Sequence, residues 1–173
     1  MILYEVSMVD LLSTTKQNFK SNREDSSSQV SVVSIKYTAS YKRNVLTCVA
    51  RVKSATSGKL YITKIELINV EFTDESNPDH IEILGSDNRP IYIVPKTKYL
   101  TEVKINCNCL DFYQRMASYN KTNKILIGRK VPTHYQSPTT PGNKMKGNPN
   151  NSIGMCKHLV SFYHKLLEDG LIL

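Results

Sequence analysis

The sequence predicts an α+β fold: an antiparallel β-sheet preceded by a helical arm and followed by a zinc-stapled hairpin and helix unit. Three observations carry that expectation. Between residues 30 and 105, short apolar–polar alternations recur with turn residues between them. Near the C-terminal end, Leu159, Phe162, Tyr163, Leu166 and Leu167 fall at helical spacing. Between these two regions, Cys107-x-Cys109 and Cys156-x-His158 stand at the end of a strand pattern and the start of a helix pattern.

The elements follow in chain order. Residues 2–19 could form a helix, since Leu3, Val6, Val9 or Asp10, Leu12 and Phe19 partly fit a 3.6 period. The polar, serine-rich run SNREDSSSQ at 21–29 reads as a linker, so residues 1–29 are expected to form a helical arm on a tether. The β region covers 30–106. In VSVVSIKYTASY, Val33, Ile35, Tyr37 and Ala39 share a parity, and in the next strand Leu46, Cys48, Ala50 and Val52 do so. In KLYITKIELINVEF, Leu60, Ile62 and Lys64 oppose Tyr61, Thr63, Ile65 and Leu67; the imperfect parity leaves room for a bulge or two buried faces. DHIEILGSDNRPIYIVP reads as two short strands around Gly85, Asp87 and Asn88. KYLTEVKINCN closes the series, with Tyr99, Thr101, Val103, Ile105, Cys107 and Cys109 on one face.

The third segment, 107–173, changes character. LDFYQRMASYNKTNK is weakly helical, and the stretch 131–154 is too rich in proline, glycine and asparagine for regular structure. CKHLVSFYHKLLEDGLIL is the clearest helix in the chain, with Gly170 as its stop.

Composition bounds the function. The chain has 173 residues and a net charge of +8. Between Phe112 and His158 there are eight Lys or Arg and no Asp or Glu. Such a segment repels itself; it is either a solvated basic loop or a surface for an acidic partner. No apolar run reaches the ~18 residues of a membrane span, and the first residues lack a secretory signal. A reducing compartment then favours metal binding or plain burial over disulfides for the four cysteines.

Cys107 and Cys109 point the same way from a strand, and Cys156 and His158 sit at the first turn of a helix. Three thiolates and an imidazole form a closed tetrahedral set suited to structural zinc rather than to a catalytic ion with an open position. Copper or an iron–sulfur cluster fits the mixed donors less well. The alternative is that the cysteines are simply buried. His134 is a substitute ligand for His158, and His164 falls on another side of the helix. Cys48, amid apolar neighbours, reads as a core thiol, and Asp111 as a capping or supporting residue.

The pair of motifs resembles the ligand pattern of SWIM zinc-binding domains. It is similar also to a group of tailed-bacteriophage proteins that share C-x-C-x-D-F and N-P-x-x-x-P-G-x-C-K-H-L elements. Here these stand as CNCLDF, 107–112, and NPNNSIGMCKHL, 148–159. Asp111, Phe112, Asn148, Pro149, Gly154, Lys157 and Leu159 match beyond the ligands. Ile153 and Leu110 depart from prolines common in that group, and the 46-residue spacer is longer than in SWIM domains proper. The resemblance covers about residues 99–168 and implies a virion protein of tail, baseplate or neck, located in the virion and in host cytoplasm during assembly. Its partners would be other virion proteins, present as multiple copies in a symmetric assembly.

No phosphate-binding glycine loop, nucleophile elbow or carboxylate pair is present, so a non-enzyme without a small-molecule substrate or a membrane is expected. Nucleic-acid binding is the second reading, with Tyr113, Tyr119 and Tyr135 available for stacking. In the first reading the N-terminal helix, the basic loop and the terminal LIL order on neighbouring subunits. Ile125, Leu126, Ile127, Val131 and Tyr135 are then partner anchors, and Arg129, Lys130, Lys144 and Lys146 face an acidic surface.

Overall fold

In the computed structural model, residues 6–19, 30–55, 57–128, 148 and 152–173 are described. The alternating segments do form antiparallel sheets. β1 (Val30–Ser40), β2 (Val45–Ser54), β3 (Leu60–Ile68) and β7 (Val103–Cys107) make one sheet in the order β1-β2-β3-β7. β4 (Glu71–Phe72), β5 (Ile81–Leu84) and β6 (Pro90–Val94) make a second, in the order β4-β6-β5. The expected turn joins β5 to β6: Gly85 N–H donates to the Arg89 carbonyl, and Asn88 takes a φ of 61°.

Parity decides which side of the main sheet is buried. Leu46, Cys48, Ala50 and Val52 are all fully buried, and Thr63, Ile65 and Leu67 face the same core from β3. β1 departs from its expected face. The register slips between Val32 and Ser34, so Val33 is the extra residue of a bulge and lies exposed. Val30 and Val32 precede the slip on the inner face; Ile35, Tyr37 and Ala39 follow it. β7 begins at Val103, and Tyr99 is exposed rather than part of its inner face.

Helix α1 (Met8–Asn18) lies within the expected 2–19 span. Ser7 caps it: its Oγ accepts from the Asp10 amide at 3.1 Å, and Asp10 places a negative charge in the first turn. The helix is docked on the rest of the chain. Met8 and Leu11 are fully buried, Ser7 bridges Glu102, and the Met8 amide donates to the Thr101 carbonyl. Two short helices follow β7: α2 (Leu110–Arg115) and α3 (Ala117–Thr122).

The last helix, α4 (Lys157–Glu168), covers the inner face of the main sheet. Leu159, Phe162, Tyr163 and Leu166 are buried as the spacing predicts; Val160 joins them and Leu167 lies at the margin. Gly170 ends it with a φ of 72°, which a residue with a Cβ adopts only at a cost. The Leu171 amide returns to the Leu166 carbonyl and the Gly170 amide to that of Leu167, both at 3.0 Å. This closure turns the terminal LIL back onto its own chain. Leu171 and Ile172 are buried, Ile172 bridges Lys96, and only Leu173 remains exposed. Those two residues thus have an internal use and are not free to order on a neighbour. Among the described residues no helix is long and apolar enough to cross a membrane.

Candidate metal centre

Cys107, Cys109, Cys156 and His158 come together. One ligand atom from each lies within 4.8 Å of all the others, and all four residues are buried. The group is compatible with binding a metal ion. Cys107 ends β7 in register with Thr63 of β3, so its side chain enters the core beside Ile105 and Val103. Asn108 points away and extends the strand pairing by one step: its amide donates to the Ile62 carbonyl, and its Oδ1 accepts from the Ile62 amide. That pairing pins the turn between the two cysteines. Cys109 then opens α2, its sulfur accepting from the Phe112 amide at 3.4 Å.

The other half begins at α4. Cys156 is its N-cap, and His158 lies in its first turn with Nδ1 3.9 Å from the Cys156 sulfur. Cys109 is thus held where a backbone amide lies close to its sulfur, an arrangement that favours a thiolate; Cys156 caps α4 with no such side-chain bond. Tyr61, on the inner face of β3, packs its ring on that of His158 with centroids 4.2 Å apart. His158 Nε2 is buried without a hydrogen-bond partner among the described residues. An unpaired buried ring nitrogen is costly, and ligation is one way to remove that cost.

The three thiols perturb one another. Hydrogen bonds from Cys107 first, then Cys156, hold the Cys109 thiol far below the usual range. The hydrogen bond to Cys109 pushes the Cys107 thiol up, and complete burial pushes Cys156 up further. Sulfurs this close raise the cost of charging more than one of them. A divalent cation between them would stabilise all three thiolates.

The return of the chain to Cys156 is held by Asn120 and Thr15, which the sequence did not single out for it, and by Gly154 and Asn148, which it marked only as motif positions. Asn120, fully buried in α3, donates from Nδ2 to the Gly154 carbonyl at 2.9 Å and accepts the Gly154 amide at 3.0 Å. Thr15 of α1 accepts the Met155 amide at 3.0 Å. Gly154 is required by close approach: a Cβ there would stand 2.4 Å from the Phe19 ring. Asn148, noted only as a motif position, braces the same approach by donating to the Arg115 carbonyl and pairing with Ser152. Asp111 faces Arg115 in a 3.0 Å ion pair one helical turn on.

The remaining candidates divide. Cys48 is a core thiol, fully buried and pushed far up by that burial. Ile125 is not a free anchor: it is buried in this chain's own core, because its carbonyl accepts from Ile105 and lays the segment along β7. Leu126 bridges Ile105, and the Ile127 amide donates to the Ile105 carbonyl, so both are half-buried on the same edge. This use covers the outer edge of β7. Arg129, Lys130, Val131, His134, Tyr135, Lys144 and Lys146 lie outside the described residues. Comparison of the chain with models of protein families, with curated proteins and with solved structures finds no match.

Proposed function

We propose that the chain is a structural component of a tailed-phage particle, in its tail, baseplate or neck, and that its cysteine–histidine cluster holds one structural zinc ion. The observation that carries the metal reading is the convergence of four buried donors, three sulfurs and one imidazole, within 4.8 Å. Tetrahedral zinc, with bonds of about 2.3 Å to sulfur and about 2.0 Å to nitrogen, sets neighbouring donors roughly 3.5–3.8 Å apart. The 3.9 Å between Cys156 Sγ and His158 Nδ1 is close to that spacing. Four protein donors leave no coordination position for water or substrate, which favours a staple over a catalyst. When bound, the ion would tie the end of β7 to the start of α4 and neutralise the thiolates.

The particle reading rests on the two phage-like elements, CNCLDF and NPNNSIGMCKHL, whose shared positions have structural work here: Asn148 braces the loop and Gly154 admits Phe19. The sequence between Phe112 and His158 carries eight Lys or Arg and no acid, a charge pattern suited to an acidic neighbour. The same stretch supports the second reading, nucleic-acid binding, which a salt titration against duplex DNA separates: absence of binding at low salt removes it.

Elemental analysis of the purified chain is expected to find one zinc per molecule, lost together with Cys107, Cys109, Cys156 or His158. Metal at trace level in a folded preparation would end the zinc reading. For the particle, deletion of residues 136–147 is expected to leave zinc content unchanged and to lower the amount of chain in purified virions, measured by quantitative mass spectrometry. Equal incorporation would show that this stretch is a spacer, and absence of the intact chain from virions would refute the structural role.

A further inference from the structure

The side of the main sheet that faces away from α4 has an unusual surface. Its outward positions include Lys36 on β1, Arg51 and Lys53 on β2, Lys64 on β3 and Lys104 on β7; the carboxylates, Glu66 opposite Lys104 and Glu102 just before β7, lie at the β7 side, away from Lys36, Arg51 and Lys53. Register brings the cations together. Lys36 and Lys64 flank Val49 on either side, about 10 Å apart across two strand spacings. Arg51 is diagonal to both, at about 7–8 Å. None of these five cations has an ion pair among the described residues. Like charges at diagonal spacing repel, and anions laid across them would relieve that cost.

The same face is also apolar. Ile62 stands opposite Arg51 and is 45% exposed; Leu60, opposite Lys53, is 48% exposed. The β1 bulge adds Val33, 56% exposed, beside Ser34 at the end of the Arg51 row. A bulge that only blunted a sheet edge would have no need of an apolar extra residue. Three exposed aliphatic side chains thus flank the β2 cations, Ile62 and Leu60 on the β3 side and Val33 on the β1 side.

We infer that this face docks an acidic protein segment carrying aliphatic side chains. The aliphatic anchors supply affinity, and the charges between and beside them set orientation and association rate. Single-stranded nucleic acid fits less well, because the face offers no aromatic ring for base stacking among the described residues. A second copy of the chain would oppose like charge to like charge. The segment 129–147 of the same chain carries Arg129, Lys130, Lys144 and Lys146 without an acid, so it is disfavoured as the occupant for the same reason. The inference concerns the face opposite the cysteine–histidine cluster and stands independently of the metal and of the particle.

The test uses the full chain, a synthetic peptide of repeating Glu-Leu-Glu-Ser, the same peptide with each leucine replaced by serine, and oligothymidylate. Binding is followed by titration calorimetry and by amide NMR shifts. The leucine peptide is expected to shift amides of Lys36, Arg51, Ile62 and Lys64, with affinity falling as salt rises. The serine peptide and the Ile62→Ser variant should each bind about tenfold more weakly. Arg51→Glu with Lys64→Glu should lose more than tenfold while keeping metal content and thermal midpoint, since both side chains point to solvent. Lack of leucine-peptide binding at this face overturns the inference. So does tighter binding of oligothymidylate there, or a chain dimer that the double variant dissolves.

Discussion

Replacement of Cys109 by serine is expected to abolish stoichiometric metal binding and to loosen the C-terminal third of the chain. Cys109 has two tasks at one atom. Its sulfur is one of the four convergent donors, and the same sulfur accepts the Phe112 amide at the start of α2. A serine oxygen keeps some of the capping but is a hard, short donor in a site built for soft ones. Structural zinc contributes about 10–16 kcal/mol of apparent binding free energy, all of which is folding free energy where the apo site is not preformed. Abolished binding should therefore remove a large part of that free energy from the folded C-terminal third. Amide exchange should rise most in residues 106–128 and 152–168. The sheet should follow in part, because α4 is the cover of its inner face and Cys107 lies in the same core cluster. Chelator treatment of the natural sequence should give the same exchange pattern. Unchanged protection in both cases, with metal still bound, would show that Cys109 is a buried thiol and no ligand.

The parts legible in the sequence were those with a local period. β2 and β3 have one buried face each, so alternation placed Leu46 through Val52 and Thr63 through Leu67 correctly. The convergence of Cys107, Cys109, Cys156 and His158 was legible for the same reason: a spacing of two on a strand end, and a cysteine and histidine at the first turn of an amphipathic helix. β1 failed at one residue, because a bulge moves Val33 outward without a glycine or proline to announce it. Ile125 to Ile127 failed differently. A three-residue apolar run has no period, so an internal edge partner for β7 and an anchor for a neighbour look alike. The docking of α1 depends on Thr15 reaching Met155 across 140 residues, and on Phe19 lying against Gly154. Neither contact leaves a local signal, whereas the polar run after the helix does, so the helix read as a tethered arm. Tyr61 was placed on the correct face; its stacking on His158 needed the relative position of β3 and α4.

Asn120→Ala is the second substitution with a large expected effect, although Asn120 ligates nothing. Its amide group is paired at both ends with the backbone of Gly154, and the residue is wholly buried. Alanine fits the volume but leaves a buried N–H and a buried C=O without partners. Each orphaned group costs about 1–3 kcal/mol, so a loss of roughly 2–6 kcal/mol is expected in denaturant unfolding. The effect should extend to the metal. Gly154 lies two residues before Cys156, and the reciprocal pair fixes the direction from which the chain enters the cluster. A free approach makes Cys156 and His158 pay an ordering entropy on binding that the natural chain has already paid. Zinc affinity, measured by competition with a chromophoric chelator, should therefore fall about tenfold or more, with stoichiometry still one per chain. Asn120→Asp distinguishes the two hydrogen bonds: it keeps an acceptor for the Gly154 amide, loses the donor to the carbonyl, and buries a carboxyl group. It should be at least as unstable as the alanine variant at neutral pH and recover partly as the carboxyl group protonates in acid. Stability and zinc affinity both unchanged in Asn120→Ala would mean that α1, through Thr15 and Phe19, holds the approach to Cys156 without help from α3.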